Sequence, residues 1–348
     1  MLLAQSKSRA VLTEEKYLII IFAFLLKSEK ISLMRCSKFL RDFYKENNDC
    51  VKIESENMMK FSWLKGSKQI TKAEISCGLG NEVLDFLWSL PNLKSLDLSS
   101  NEKIKDFYPV SKFVGLESLN LSLTNEENIG FLGSLKNLKE LFLEYNCNIK
   151  DHSVIKYLGN LEVLSLCRNK LQNIDFLKEL TKLRELDLLE VSTIKDHSVL
   201  ENLVNLQRLN LVNNNLVDIK FLLKLTNLTN LKIYENKGIT NIEILSHLVN
   251  LEVLNLCECG LTDISFLGSL TKLKELDLNS NRDITDHSVL GKLNNLKLLK
   301  LLDQNLSNFH FLTEESCLQL NLTGKQFSDA QKEALKRFFP KVNFFYKW

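Results

Sequence analysis

Cysteine and histidine are the residue types in this chain that could bind a metal ion or supply a nucleophile. Of eight cysteines, Cys257 and Cys259 are the only close pair, and no second pair or neighbouring histidine completes a zinc ligand set. His152, His197 and His287 each occur in the tetrapeptide Asp-His-Ser-Val, at spacings of 45 and 90 residues. Stacked coils would hold the first two histidines roughly 10 Å apart, too far for one metal ion. The sequence therefore predicts no metal site.

Motifs for catalysis or cofactor binding are also missing from the sequence. It contains no phosphate-binding loop, dinucleotide fingerprint or nucleophile elbow, so neither an enzyme nor a bound cofactor is expected. The cysteines are scattered rather than grouped at the two ends, which favours reduced thiols. We therefore expect a cytoplasmic or nuclear protein, or one delivered into a host cytosol if the source is a bacterium.

The histidine spacing belongs to a repeat that runs through most of the chain. The frame Leu-x-x-Leu-x-Leu-x-x-Asn begins at Leu93 and returns at residues 116, 138, 161, 183, 206, 228, 251, 273 and 296. The steps alternate strictly between 23 and 22 residues, which defines a doubled unit of 45. Weaker copies begin at Ile70 and Cys317. Most of the 71 leucines among the 348 residues occupy fixed places in this frame.

The frame predicts one short strand in each coil. Leu96 and Leu98, at the fourth and sixth places of the first copy, are two residues apart and so lie on one face of a strand. A single coil cannot bury that face, and so the coils must stack on a shared core. The asparagine at the ninth place is expected to bind backbone groups of the adjacent coil. We expect this asparagine ladder to be interrupted where the ninth place differs, at Thr124, Val191, Cys259 and Gln304.

These repeats resemble the leucine-rich-repeat family over residues 70–323, and the shorter half-unit is similar to repeats of internalins and of phosphatase regulators. The resemblance implies an α/β fold, a solenoid of 11–12 coils with a parallel β-sheet on its concave face. The aspartate before His-Ser-Val is suited to the N-cap of a convex-side helix.

The third, fifth and seventh places of each frame alternate with the buried leucines and point to the predicted concave face. The eighth place adds to it. This surface is acidic with aromatic members, which favours capture of a basic protein substrate. The alternative is a surface that only keeps the solenoid soluble. The predicted substrate-binding residues are Glu140, Phe142, Glu144, Tyr145, Glu185, Asp187, Arg208, Lys232, Tyr234, Glu258, Glu275 and Asp277.

Charge is uneven along the chain although the total is only +2. Residues 1–68 carry +5, residues 69–323 carry −7 and residues 324–348 carry +4. The near-neutral total gives no reason to expect nucleic acid. The longest apolar run, residues 17–26, is too short to span a bilayer, so no membrane partner is expected either.

Residues 12–50 lie outside the repeat and resemble the F-box, a helical module. Glu14 and Glu15 stand at its acidic start, residues 21–25 (Ile-Phe-Ala-Phe-Leu) match its core, and residues 36–40 match its end. The usual Leu-Pro is absent, and Leu40 replaces a tryptophan. The resemblance implies binding to the adaptor of an SCF-type cullin ubiquitin ligase through Leu18, Ile21, Phe22, Leu25, Ile31, Leu33 and Phe39.

The predicted organisation is a helical F-box-like module (1–60), a linker (61–69), the solenoid (70–323) and a C-terminal cap (324–348). In the cap, Ser328 or Asp329 begins a helix and Val342 begins a final strand. The predicted function is a ubiquitin-ligase substrate receptor. The alternative is a stand-alone interaction scaffold, phosphatase-regulator-like or internalin-like, whose N-terminal helices only cap the solenoid.

Overall fold

The computed structural model describes residues 49–53, 64–75, 78–304, 306, 319–324 and 327–346. Residues 12–48 of the F-box-like segment, among them its seven predicted adaptor-binding residues, lie outside the described residues. Residues 50–53, which belong to the module 1–60 predicted to be helical, form a strand instead.

The described strands form one parallel sheet in which every strand pairs with its neighbours in sequence. Equivalent leucines are in register, as Leu141 with Leu164. The sheet extends beyond residues 70 and 323, the predicted limits of the solenoid, at both ends. The strands are β1 (Cys50–Ile53), β2 (Lys72–Ile75), β3 (Ser95–Asp97), β4 (Ser118–Asn120), β5 (Glu140–Phe142), β6 (Val163–Ser165), β7 (Glu185–Asp187), β8 (Arg208–Asn210), β9 (Asn230–Lys232), β10 (Val253–Asn255), β11 (Glu275–Asp277), β12 (Leu298–Leu301), β13 (Gln319–Thr323) and β14 (Val342–Phe345).

Single 3₁₀ turns, rather than the expected convex-side helices, return the chain from one strand to the next. A coil of 22 or 23 residues leaves about five residues on this side, which suits the short 3₁₀ form. The aspartate is not the N-cap that was predicted, because His152 holds that position without a side-chain cap bond. Asp151 Oδ1 instead accepts a hydrogen bond from Ser153 N, two residues along the chain, at 2.8 Å. The turns are Tyr108–Lys112, Gly130–Ser134, Ser153–Tyr157, Asp175–Glu179, Ser198–Asn202, Lys220–Lys224, Ile242–His247, Ser265–Ser269 and Ser288–Lys292.

The described residues include two α-helices, which lie near the ends of the sheet. Helix α1 (Glu82–Leu87) packs Val83, Leu84 and Leu87 into the core. Helix α2 (Asp329–Phe338) begins as predicted, with Ser328 as the N-cap in a capping box with Gln331. None of the helices that the structure describes is long and apolar enough to cross a bilayer.

The leucines of the frame form one continuous core. Leu138, Leu141 and Leu143, at the first, fourth and sixth places of one coil, are fully buried. Because each strand places only these side chains inward, the residues between them face away from the core. The predicted alternation is therefore confirmed.

The ninth-place ladder continues through two of the four expected interruptions, Gln304 and Cys259, so the prediction is wrong at these two places. Gln304 is long enough for its Nε2 to donate to Leu278 O of an earlier coil. Cys259 Sγ donates to Ile233 O at 3.3 Å in the same manner. Thr124 Oγ1 donates instead to Leu121 O of its own coil at 2.8 Å and to Asn146 Oδ1 of the next coil at 3.2 Å. The Val191 side chain has no polar atom and leaves a gap in the ladder.

The three Asp-His-Ser-Val histidines are buried packing residues. His152, His197 and His287 are 6–7% exposed. His152 stacks on Phe176 and His197 on Phe221 of the following coil, with ring centroids 6.2 and 6.3 Å apart. A long half-unit thus supplies a histidine and the next short half-unit a phenylalanine. This pairing gives the 45-residue period a physical reason.

Candidate functional site

The sheet face, defined as the third, fifth and seventh places of each frame, is the surface predicted to be concave. In β7, the half-buried Glu185 and Asp187 flank Leu186, which is 2% exposed. The backbone holds these side chains in rows, because equivalent residues of neighbouring strands are paired, as Glu185 with Arg208. The face is consequently a rigid platform.

A shallow groove of about 270 Å³ crosses the sheet face from β5 to β9. It brings together six of the twelve predicted binding residues, namely Phe142, Glu144, Glu185, Asp187, Arg208 and Lys232. The other six do not line it: Glu140, Tyr145, Tyr234, Glu258, Glu275 and Asp277. Ser165 and Asn210, which occupy the outward-facing fifth place of their frames, also line the groove but were not among the predicted binding residues.

The carboxylates of the groove are partly satisfied within the protein. Ser165 Oγ donates to Glu144 Oε1 at 2.8 Å, and Asn210 Nδ2 donates to Asp187 Oδ2 at 3.0 Å. Arg208 approaches Glu185 at 3.7 Å, a loose and exposed ion pair. The groove therefore holds its side chains in fixed positions, with the three carboxylates Glu144, Glu185 and Asp187 exceeding the two cations Arg208 and Lys232 by one charge.

Tyr145, one of the predicted substrate-binding residues, is in contact with Arg168. Arg168 donates to the Tyr145 hydroxyl at 2.8 Å, and its guanidinium carbon lies 5.1 Å from the ring centroid. The other end of the guanidinium pairs with Glu190 at 2.5 Å. These contacts hold Tyr145 at the edge of the sheet face and away from the groove.

The eighth place of each coil has a backbone feature that the residue types do not signal. Tyr145, Arg168, Glu190, Glu235 and Glu258 all have φ between 52° and 58°, in the left-handed region that favours glycine. Each amide donates to the next coil, as Tyr145 N to Cys167 O at 3.0 Å. The turn after each strand is therefore held by the neighbouring coil rather than by its own sequence.

The cysteines on this side of the sheet are poorly suited to nucleophilic chemistry. Burial, with smaller contributions from nearby carboxylates, raises the pKa of the Cys167, Cys257 and Cys259 thiols to about 12. Among the described residues, no group of three or more His, Cys, Asp or Glu side chains is placed to hold a metal ion.

We predict that alkylation at pH 8 modifies Cys147 well before Cys167, Cys257 or Cys259. Cys147 is exposed, whereas a thiol with a pKa of about 12 has a thiolate fraction of only about 10⁻⁴ at that pH. Peptide mapping by mass spectrometry of the native protein would measure the four rates. Equal rates would contradict the raised pKa of the three thiols.

Three comparisons with known proteins bear on this architecture. A family model for leucine-rich repeats in two copies matches residues 249–288. A crystal structure of an internalin from Listeria monocytogenes is 22% identical, with a TM-score of 0.60, and the match covers 83% of this chain and 89% of that one. An internalin C2 of the same species is 30% identical over 61% of this chain and 84% of its own, with a TM-score of 0.43. Comparison with curated proteins gives no match.

The match to the first internalin indicates a shared fold, and at 22% identity it indicates nothing beyond the fold. The residue frame, the matched repeat pair and the parallel sheet agree with it. The chain is therefore a leucine-rich-repeat protein whose solenoid is similar in fold to that of an internalin.

Proposed function

We propose that this protein is a binding scaffold without catalytic activity, and that it captures a basic segment of another protein at the groove across β5–β9. The groove is the observation that supports this proposal. It presents the half-buried Phe142 beside Glu144, Glu185 and Asp187 on a rigid sheet. An aromatic anchor among carboxylates favours a partner with apolar and basic side chains.

The shape of the groove favours a protein over a small molecule. Small-molecule sites are concave pockets of about 300–1,000 Å³ that enclose most of the ligand. This groove holds about 270 Å³ spread over five strands, a width of roughly 20 Å at the usual strand spacing. A polypeptide segment matches that width and contributes its own backbone to the contact.

A photo-crosslinking residue placed at position 142 would test this proposal directly. Phe142 lines the groove, whereas Tyr157, in the turn Ser153–Tyr157, is 56% exposed and gives a matched aromatic control. Benzoylphenylalanine at position 142 is expected to yield discrete protein adducts, and the same residue at position 157 is not. Equal adducts at both positions would refute capture at the groove.

A second candidate role is that of substrate receptor of an SCF-type ubiquitin ligase. The residue order at 14–40 supports it, with its acidic start, apolar core and Cys-x-Lys end. On this proposal the segment binds the ligase adaptor while the groove holds the substrate.

Co-purification of the full chain tests the second role. The adaptor and a cullin should be retained by the unaltered protein and lost when Ile21 and Phe22 are both replaced by lysine. The Phe142→Ala variant should still retain them, because its change lies in the solenoid. Recovery of a groove-dependent partner without any adaptor would reject the receptor role and leave the stand-alone scaffold, internalin-like or phosphatase-regulator-like.

A further inference from the structure

A row of apolar side chains crosses five neighbouring coils beside the groove. This seventh-place row consists of Cys167, Leu189, Val212, Tyr234 and Cys257, one from each coil between β6 and β10. The backbone aligns it, because each eighth-place amide donates to the seventh-place carbonyl of the next coil. These bonds are Arg168 N to Leu189 O (2.8 Å), Glu190 N to Val212 O (2.9 Å), Asn213 N to Tyr234 O (3.1 Å) and Glu235 N to Cys257 O (2.9 Å).

Polar residues flank the row at both ends, and its five side chains differ in how far they are buried. Glu144 occupies the seventh place on one side and Asn279 on the other. Cys167 and Val212 are nearly fully buried, whereas Leu189, Tyr234 and Cys257 are half-buried and still accessible. An occupant would therefore touch three apolar points in the coils of β7, β9 and β10.

Carboxylates border the accessible part of the row. Glu190, Glu235 and Glu258 occupy the eighth places along one side. Burial, followed by the nearby carboxylates of Glu235, Glu190 and Asp187, raises the pKa of Tyr234. Glu190 is paired with Arg168, and Glu258 only loosely with Lys237 at 3.5 Å. In the described part of the chain, Glu235 has no cationic partner.

The spacing of the three accessible points distinguishes between helical and extended occupants. Strands in a sheet lie about 4.8 Å apart, so Leu189 and Tyr234 are separated by about 10 Å, and Tyr234 and Cys257 by about 5 Å. Along an α-helix, residues i and i+7 are about 10.5 Å apart, and i and i+3 or i+4 are about 5 Å apart. Same-face residues of an extended strand are about 6.7 Å apart and match neither interval.

We propose that the partner segment captured by this protein is an amphipathic α-helix that lies along the seventh-place row, with Lys or Arg residues beside its apolar stripe. Each helical turn meets one coil, and the basic residues pair with Glu235 and Glu258. The inference rests on the proposed binding function and deepens it by naming the class of occupant.

Three synthetic peptides of 16 residues and identical Leu, Ala and Lys composition would test it against the full chain. One places leucine at helical spacing, one alternates leucine as in a strand, and one is scrambled. Fluorescence anisotropy at 150 mM salt should show the helical peptide binding about tenfold more tightly than the other two. A matching gain of helical circular dichroism is expected on binding.

Two charge-reversal variants locate the contact. Glu235→Lys should weaken the helical peptide about tenfold, whereas Glu243→Lys, an equal charge change at an exposed position of the turn Ile242–His247, should alter it less than about twofold. The proposal is overturned if the alternating peptide binds equally well, if both variants have the same effect, or if no peptide binds. If crosslinks at position 142 still appear in that case, the scaffold function stands and only the helical occupant is rejected.

Discussion

Replacing Asn236 with alanine is expected to lower the free energy of unfolding by about 3 kcal/mol or more. Asn236 is fully buried in the ninth-place ladder. Its Nδ2 donates to Leu211 O and Ile233 O, and its Oδ1 accepts from Asn214 N and Leu216 N, all at 2.8–3.0 Å. Alanine would leave four buried backbone groups without these partners, and each such group costs about 1–3 kcal/mol.

Asn227→Ala is the matched control for this prediction. Asn227 also donates to a neighbouring coil, to Val204 O at 2.9 Å, but it is exposed, and water can replace its bond. We expect a loss below about 1 kcal/mol. Urea unfolding followed by circular dichroism would measure both values. A similar loss in the two variants would show that burial of the ladder does not control its contribution.

The sequence predicted a structural role for only some of the asparagines. The ninth-place ladder was predictable because the frame repeats it, and Gln304 extends it because one added methylene leaves the amide within reach of Leu278 O. A second row of asparagines, immediately before the first leucine of a frame, was missed. Each donates to a backbone carbonyl one coil earlier, as Asn137 to Val114 O and Asn250 to Thr226 O. The sequence does contain a signal for this second row, because an asparagine recurs immediately before the first leucine of most frames.

Lowering the pH from 7 to 5 is expected to destabilise the protein by about 2 kcal/mol through His152 alone. Burial lowers the pKa of His152 from 6.5 to about 4, although Asp151 and Asn169 act in the opposite direction. The pKa values of His197 and His287 are lowered too, mainly by burial. In this pH range the unfolded chain binds protons that the folded chain does not. Stability is therefore complete above pH 6.5 and falls toward pH 4.

The triple variant His152→Phe, His197→Phe, His287→Phe isolates this effect. Phe107 occupies the equivalent place in an earlier coil and is 2% exposed, so the fold already accommodates phenylalanine there. Between pH 7 and pH 5, the melting temperature should fall strongly for the natural protein and only slightly for the variant. Asp151, Asp196 and Asp286 have pKa values held below 3.8 by bonds from serine, so their contribution is lost only at lower pH. Equal falls in both proteins would refute the histidine account.

The sequence predicted which side chains alternate onto the sheet face. It did not predict which side chains of neighbouring coils contact each other. Period-two leucines fix which side chains face outward, so Phe142 and Asp187 were placed correctly on the face. Occupation of Tyr145 by Arg168 depends on a pair 23 residues apart, and no local pattern reports it. The left-handed backbone conformation at the eighth place could not be predicted either, because Glu, Arg and Tyr occupy it rather than glycine. The seven predicted adaptor-binding residues lie outside the described part of the chain, so the adaptor role is still a prediction.

The claim that the sheet face captures a protein is tested most directly by quantitative co-purification with two double variants. Phe142→Ala with Tyr234→Ala removes the two aromatic side chains of the sheet face, whereas Tyr157→Ala with Val204→Ala removes two exposed apolar side chains outside the sheet, 56% and 45% exposed. The account predicts that both variants unfold at the temperature of the natural protein, and that only the first loses its partner by about tenfold or more. Undiminished capture by the Phe142→Ala, Tyr234→Ala variant would contradict it.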